Sequence, residues 1–183
     1  MDEFLLKKMD EMAKLCQKRN VMRLKELGGH IAEKAYLRGD RKLVDLIIVS
    51  YSLAKFFEKH YIYGSKNWGA FYGRFLSLVQ SAKDELKRED MQAFYSITGS
   101  MIEEIGRMSE STGRFQSSVI DKARIKAGTQ IYAHGASLAT AASFAEVDKS
   151  ALASYINVTK LPDKYGTMSV KERLKMAEEL FEK

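Results

Sequence analysis

The sequence predicts an all-α protein of about nine helices, and three observations support this fold class. Apolar residues recur at helical spacing along almost the whole chain, and strand-like alternation is hard to find. Proline occurs once in 183 residues, and hydrophobic residues make up 45% of the chain, which is enough to form a core. Residues that favour helix N-termini stand just before several of the apolar patterns.

Five helices are predicted for an N-terminal bundle that spans residues 1–109. The apolar spacing of the first helix covers Phe4–Cys16, and Asn20 is placed to cap the second. Gly39 and Asp40 indicate a helix end followed by a helix start. Glycine suits the left-handed position after a helix, and an aspartate side chain can accept from the first free amides of the next one.

The third helix should lie at the centre of this bundle. It runs from about Arg41 to about His60, and apolar side chains cover most of its circumference, which is typical of a helix packed on several neighbours. A fourth helix begins near Asn67, and Asp90 caps a fifth. The turns at 37–40 and 87–90 have similar sequences, which either an internal duplication or shared capping chemistry explains.

Aromatic residues are dense between positions 60 and 75. The first part of this stretch, 61–65, is predicted to connect the third and fourth helices. These rings could stack bases or bind a partner protein. We interpret them instead as core anchors, because Trp68, Phe71 and Phe75 recur at helical spacing.

A small, polar segment at 109–113 predicts a boundary between the bundle and a C-terminal subdomain, 114–183. A sixth helix follows, from about Arg114 to about His134. One row of its side chains should face the core, and the adjacent row, which ends at Gln130, should face solvent. A last helix is expected from Ser169, where a capping box begins.

The charge balance is compatible with an acidic partner but does not identify one. Thirty Lys and Arg residues against 24 Asp and Glu residues leave a net charge of +6. The excess is spread evenly, because residues 1–113 and 114–183 each carry +3. The single cysteine, Cys16, predicts a reducing compartment, and the most apolar stretch is too short and too polar to span a bilayer. We expect a cytoplasmic protein with no membrane partner.

Residues 137–157 carry the most distinctive pattern in the chain. Ser137 and Asp148 are each placed to cap a short helix, and Val147 lies at the corner between the two helices. Two short helices that cross steeply need small residues at their contact and an apolar residue at the turn. Ala142, Val147, Leu152 and Tyr155 occupy those places.

This segment resembles the helix-turn-helix superfamily of DNA-binding proteins. In that motif an alanine in the first helix is followed four residues later by a glycine and then by a valine or isoleucine. Ala142 and Val147 match the motif, whereas Glu146 stands at the glycine position. Glutamate adopts a left-handed conformation poorly, which leaves the geometry of the turn open. The pattern also resembles uncharacterised archaeal proteins in which such a segment follows a helical region.

The resemblance implies which residues would face duplex DNA. The second short helix would present its exposed positions to the bases, and nearby lysines would contact the phosphates, which positions a protein without specifying a sequence. No arginine is available there for a bidentate pair with guanine. The expected DNA-binding residues are Lys149, Ser150, Ser154, Asn157, Lys122, Lys126, Lys160 and Lys164.

Catalytic chemistry is less well supported by the sequence. We expect no cofactor and no metal site, because His30, His60 and His134 stand in no metal-ligand spacing. Arg23 and His30 resemble the arginine–histidine spacing of the small helical ribonucleases called HEPN proteins. Such a pair could activate a ribose hydroxyl, although this one lies nearer the N-terminus than the family places it.

Three functional hypotheses follow. The first is a non-enzymatic DNA-binding or transcription-associated protein, whose N-terminal bundle binds a partner or forms a homo-oligomer. The second is a helical scaffold for protein interactions that binds no nucleic acid. The third is the ribonuclease. A continuous positive face around Lys149 would favour the first hypothesis, and mixed charge would favour the second.

Overall fold

The computed structural model describes residues 2–113 and 118–159, which form nine α-helices, one 3-10 helix and no strand. The all-α prediction is confirmed. The predicted last helix, from Ser169, lies outside the described residues. The helices in chain order are α1 (Glu3–Gln17), α2 (Val21–Arg38), α3 (Val44–Phe57), α4 (His60–Tyr63), α5 (Trp68–Lys87), α6 (Met91–Ser111), α7 (Val119–Ala133), α8 (Leu138–Ala145) and α9 (Lys149–Thr159).

Helix α3 is central, as predicted. Every residue in it is buried except Asp45 and Lys55, because α2, α6 and α7 pack around it. The α-helix is shorter than predicted at both ends. Arg41–Leu43 form a 3-10 helix that Asp40 caps, and the predicted connection contains the one-turn helix α4. Among the described residues, no helix has the combination of length and apolar character that crossing a bilayer requires.

Three turns between helices share one geometry. In each, a left-handed residue ends one helix, and the next residue caps the following helix with its side chain. The N–H of each capping residue also returns to a carbonyl five residues earlier, at 2.9–3.0 Å, which is a Schellman arrangement. The left-handed residues are Arg19, Gly39 and Glu89, and the capping residues are Asn20, Asp40 and Asp90.

The aromatic stretch is mainly structural, in agreement with the prediction. Trp68, Phe71 and Phe75 are buried on α5, and the Phe71 ring meets the Phe56 ring edge-on at a centroid distance of 5.6 Å. Edge-to-face pairs of this kind stabilise a core beyond the area that they bury. The helix pair α5–α6 is thereby anchored to α3.

A buried carboxylate also joins α5 to α6. Glu104 is almost fully buried, and its Oε1 lies 2.6 Å from Nη2 of Arg74 while its Oε2 lies 2.8 Å from Nη2 of Arg107. Burial alone would raise the pKa of Glu104, but the two arginine hydrogen bonds outweigh it and hold the pKa below its ordinary value. Glu104 is therefore ionised at neutral pH.

The predicted boundary at 109–113 is largely helical, which corrects the sequence-based expectation of a loop. Helix α6 continues through Ser111, and Ser109 is buried. After residues 114–117, α7 returns to the bundle and packs against α2, α3 and α6. One hydrophobic cluster extends from Leu5 to Ile156. The division into 1–109 and 114–183 stays a prediction.

Candidate nucleic-acid interface

Helices α7, α8 and α9 pack against one another in a compact three-helix unit. The Ser137 hydroxyl accepts from the Thr140 amide at 3.1 Å at the start of α8. The Asp148 carboxylate accepts from the Ala151 amide at 2.9 Å at the start of α9. Such caps satisfy amides that have no partner within the helix. Both predicted caps are confirmed.

The corner between α8 and α9 is left-handed at Glu146, where φ is 53° and ψ is 47°. This settles the question that the sequence left open, because glutamate occupies the conformation that glycine would favour. The Val147 amide donates to the Ala142 carbonyl oxygen at 3.1 Å and closes the turn. Glu146 thus has the left-handed backbone that glycine would usually adopt at this position.

Arg124 on α7 supports this corner. Its Nη1 donates to the Ala145 carbonyl oxygen at 3.3 Å and to Oε2 of Glu146 at 2.6 Å. Asp45 of α3 lies nearby, and burial raises the pKa of its carboxyl while Arg124 partly offsets the effect. The guanidinium therefore joins the end of α8 to the corner and also acts electrostatically on Asp45.

The three helices approach one another closely at Gly128 of α7. A Cβ atom at this position would lie 3.1 Å from the Ala145 Cβ and 3.2 Å from the Leu152 Cδ2. Ala142, Ala145 and Leu152 are buried at the contact, which agrees with the predicted need for small residues there. The role of Gly128 could not be predicted from the sequence, because a lone glycine within a helical pattern does not show what packs on it.

Helix α9 exposes the face that the motif would turn toward DNA. Lys149, Ser150, Ser154 and Asn157 are exposed, as predicted, while Leu152 and Ile156 hold the opposite face in the core. Ala151 and Val158 lie between the exposed polar residues and are exposed too. The face is small and mostly uncharged, so a groove or a flat surface can approach its backbone closely.

The flanking lysines that the structure describes differ in exposure. Lys122 is exposed on α7, but Lys126 is half-buried, and its Nζ lies 4.8 Å from the centre of the Tyr155 ring. Lys160 and Lys164 lie outside the described residues. Gln130, predicted to face solvent on the same row, is buried because α7 is enclosed by α2, α3 and α8.

Charge is mixed around the start of α9. Lys149 stands between Glu146 and Asp148, so its positive charge is flanked by two acidic side chains. A hydrogen bond from the Ser150 hydroxyl, helped by the Ala151 amide, lowers the pKa of Asp148. Asp148 is thus engaged as a cap, and the described part of this face carries no continuous positive surface.

A cleft of about 830 Å³ opens between α2, α7 and the end of α9. His30 and His134 both line it, although 103 residues separate them in the sequence. Lys126, Thr129 and Gln130 form the α7 wall. That His30 and His134 share one cleft could not be predicted from the sequence, because it depends on α7 packing back onto α2.

The remaining sequence candidates stay apart from this cleft or pair with neighbours. Arg23 is exposed on α2, and its Nη1 lies 3.5 Å from Oε2 of Glu26. His30 follows two helical turns later and lines the cleft, whereas Arg23 does not. Over the described ranges, no group of three or more His, Cys, Asp or Glu side chains is arranged to hold a metal ion.

The chain was compared with protein-family models, curated proteins and solved structures. None of these comparisons gives a match.

Proposed function

We propose that this chain binds duplex DNA, with α9 entering the major groove. The observation that carries the proposal is the left-handed corner at Glu146 between two capped short helices that pack on α7. An α-helix fits the major groove when its outer face is narrow enough to approach the base edges. Ser150, Ser154 and Asn157 supply such a face on α9.

Asn157 is the best base-reading side chain of this face. An asparagine carboxamide can donate to and accept from the edge of adenine. A serine hydroxyl can form hydrogen bonds with several different bases and so discriminates less between them. The exposed methyl groups of Ala151 and Val158 could contact thymine methyl groups. We therefore expect a preference for A·T pairs that is modest, because one bidentate contact is available.

Phosphate contacts would supply most of the affinity. We assign Lys149 and Lys122 to this role, together with Lys160 and Lys164 beyond the described residues. We do not assign Lys126 to phosphate contacts, because its ammonium group lies over the Tyr155 ring and the residue lines the cleft. Each neutralised phosphate should contribute a slope of about −0.9 to log affinity against log salt.

The test is a titration of labelled duplex DNA with the full chain over a range of salt concentrations, followed by fluorescence anisotropy. Lys149→Glu should weaken binding and lower the salt slope by about one contact. Lys7→Glu is the matched control, since Lys7 is exposed on α1 and the charge change is the same. Absence of duplex DNA binding at low salt would refute the proposal, whether or not single-stranded DNA binds.

A protein-interaction scaffold is the second candidate, and the mixed charge around Lys149 favours it. Glu146 and Asp148 would repel phosphates, whereas a protein surface could pair with charges of both signs. The small residues Ala151 and Ser154 would let a partner helix pack closely. If nucleic-acid binding is measured, this candidate predicts that Lys149→Glu does not change its affinity.

A further inference from the structure

The cleft between α2, α7 and the end of α9 has the size of a small-molecule site. Its volume of about 830 Å³ falls within the range of roughly 300–1,000 Å³ that ligand pockets occupy. Polar side chains from both walls converge on it, while Met22 and Val158 lie at its rim. The proposed DNA-binding face does not use any of these polar groups. DNA binding by α9 therefore does not explain the cleft.

The Gln130 side chain is the clearest sign of a ligand. Gln130 lines the cleft and is only 7% exposed, yet its carboxamide makes no hydrogen bond within the described part of the chain. The carboxamide atoms are open to the cleft, so a ligand there can take up their donor and acceptor. A carboxamide offers a donor and an acceptor side by side, which matches the edge of a nucleobase.

Lys126 supplies a positive charge that pairs with no carboxylate among the described residues. It is half-buried on the same wall, one helical turn before Gln130, and its contact in the structure is the Tyr155 ring. Over the described residues, Lys126 takes part in no ion pair within 4.0 Å. A half-buried ammonium group of this kind favours an anionic ligand.

The other Lys and Glu side chains among the described residues that line the cleft are paired. Nζ of Lys25 lies 2.6 Å from Oε1 of Glu58, and Glu26 pairs with Arg23. The positive charge of Lys126 is therefore the one left over on the described walls. The phosphate group of a ligand near Lys126 would be attracted to this charge.

His30 and Gly29 shape the space in front of Gln130. The Gly29 position has no side chain, and a Cβ atom there would lie 3.4 Å from Oε1 of Gln130. The glycine thus leaves the carboxamide open to the cleft. His30 and His134 also line the cleft, and each can donate or accept a hydrogen bond, which suits ribose hydroxyls or a phosphate.

We propose that the cleft binds a nucleoside monophosphate. The Gln130 carboxamide contacts the edge of the base, and the Lys126 ammonium group contacts the phosphate. The proposal is separate from DNA binding by α9, and either can fail without the other.

The experiment is isothermal titration calorimetry of the full chain with the four ribonucleoside 5′-monophosphates as probes. At least one should bind saturably. The matching nucleoside, which lacks the phosphate, and inorganic phosphate, which lacks the base, should each bind at least about tenfold more weakly. Tight binding of inorganic phosphate alone, equal to that of the nucleotide, would overturn the proposal.

Variants then test the two contacts. Lys126→Gln and Gln130→Leu should each weaken binding by about tenfold or more. Lys7→Gln, a matched lysine variant on α1, should leave it unchanged. Gly29→Leu should block the cleft while leaving the melting temperature at least as high, since leucine favours a helix more than glycine does.

Two outcomes would refute the assignment even in folded protein. The first is the absence of saturable binding by all four nucleotides below about 1 mM. The second is binding that survives both Lys126→Gln and Gly29→Leu, which would place the nucleotide elsewhere. Because Lys126 is half-buried and Gly29→Leu preserves the helix, these two variants remain informative if Gln130→Leu fails to fold.

Discussion

Nη1 of Arg124 lies 2.6 Å from Oε2 of Glu146, and this contact joins α7 to the left-handed corner before α9. The same guanidinium donates to the Ala145 carbonyl oxygen, which is one of the carbonyls left without a partner at the end of α8. Arg124 therefore offsets part of the backbone strain that a non-glycine residue brings to the corner.

Replacing Glu146 by glycine should raise stability slightly. A left-handed conformation costs a residue with a Cβ about 1–2 kcal/mol. The ion pair that is lost contributes at most about 1 kcal/mol, because 73% of the Glu146 side chain is exposed. We expect the free energy of unfolding, measured with urea, to rise by about 0.5–1 kcal/mol.

The control for this prediction is Glu33→Gly, at an exposed position inside α2. Glycine there should cost about 0.5–1 kcal/mol, because it lowers helix propensity. If Glu146→Gly destabilised the protein as much as Glu33→Gly does, the corner would not be left-handed in solution.

Gly128→Ala should destabilise the three-helix unit by about 1 kcal/mol. Overpacking against Ala145 and Leu152 costs roughly 1–3 kcal/mol, and the gain in helix propensity returns up to about 1 kcal/mol. Gly99→Ala is the matched control, because its Cβ would meet nothing within 4 Å in α6. The melting temperature of Gly128→Ala should fall and that of Gly99→Ala should rise. Shifts of both melting temperatures in the same direction would contradict the close packing at Gly128.

Ile47→Ala and Phe56→Ala should each lower the free energy of unfolding by about 2–5 kcal/mol. Both side chains are fully buried on α3, and large-to-small changes in a core leave a cavity. Met22→Ala, at a side chain with 67% exposure, should change stability by less than about 0.5 kcal/mol. Losses below that level at both α3 positions would show that α3 is not central.

Glu104→Gln should lower stability by about 1–2 kcal/mol at pH 7, because the charge-assisted hydrogen bonds to Arg74 and Arg107 weaken. The folded-state pKa of Glu104 is lowered, so its stabilisation is present above the ordinary value of 4.5. It is lost as the pH falls through the lowered pKa. The free energies of unfolding of the variant and of the natural protein should therefore become equal in acid.

Glu103→Gln is the control for this effect. Its side chain is 71% exposed and lies 3.8 Å from Arg107, so the change should be under about 0.5 kcal/mol. Chemical unfolding at several pH values measures both variants. A Glu104→Gln loss that is independent of pH would mean that packing, not charge, holds this contact.

Local chemistry accounts for the parts of the fold that the sequence predicted well. Asn20, Asp90, Ser137 and Asp148 were predicted as caps, and each accepts from an amide at the start of its helix. A cap depends on residues within one turn of itself, so its signal is complete in the sequence. The apolar circumference of α3 predicted its central place for the same reason.

Features set by contacts between distant helices could not be predicted. Gln130 has the sequence context of a solvent-facing residue, and only the packing of α7 on α2 and α3 buries it. His30 and His134 meet at one cleft for the same reason. Helix α4 was missed because one turn is too short to show a period.

Directed cleavage of DNA from α9 tests the central proposal most directly. Cys16 is 1% exposed, and burial raises the pKa of its thiol to about 12, so a new exposed cysteine can be labelled selectively. Ser154→Cys on α9 and Ser81→Cys on α5 would each carry an iron chelate that generates hydroxyl radicals. We predict that bound duplex is cut from position 154 well above the level from position 81. Equal cutting from both positions, or none from 154 while DNA is bound, would contradict the placement of α9 in the groove.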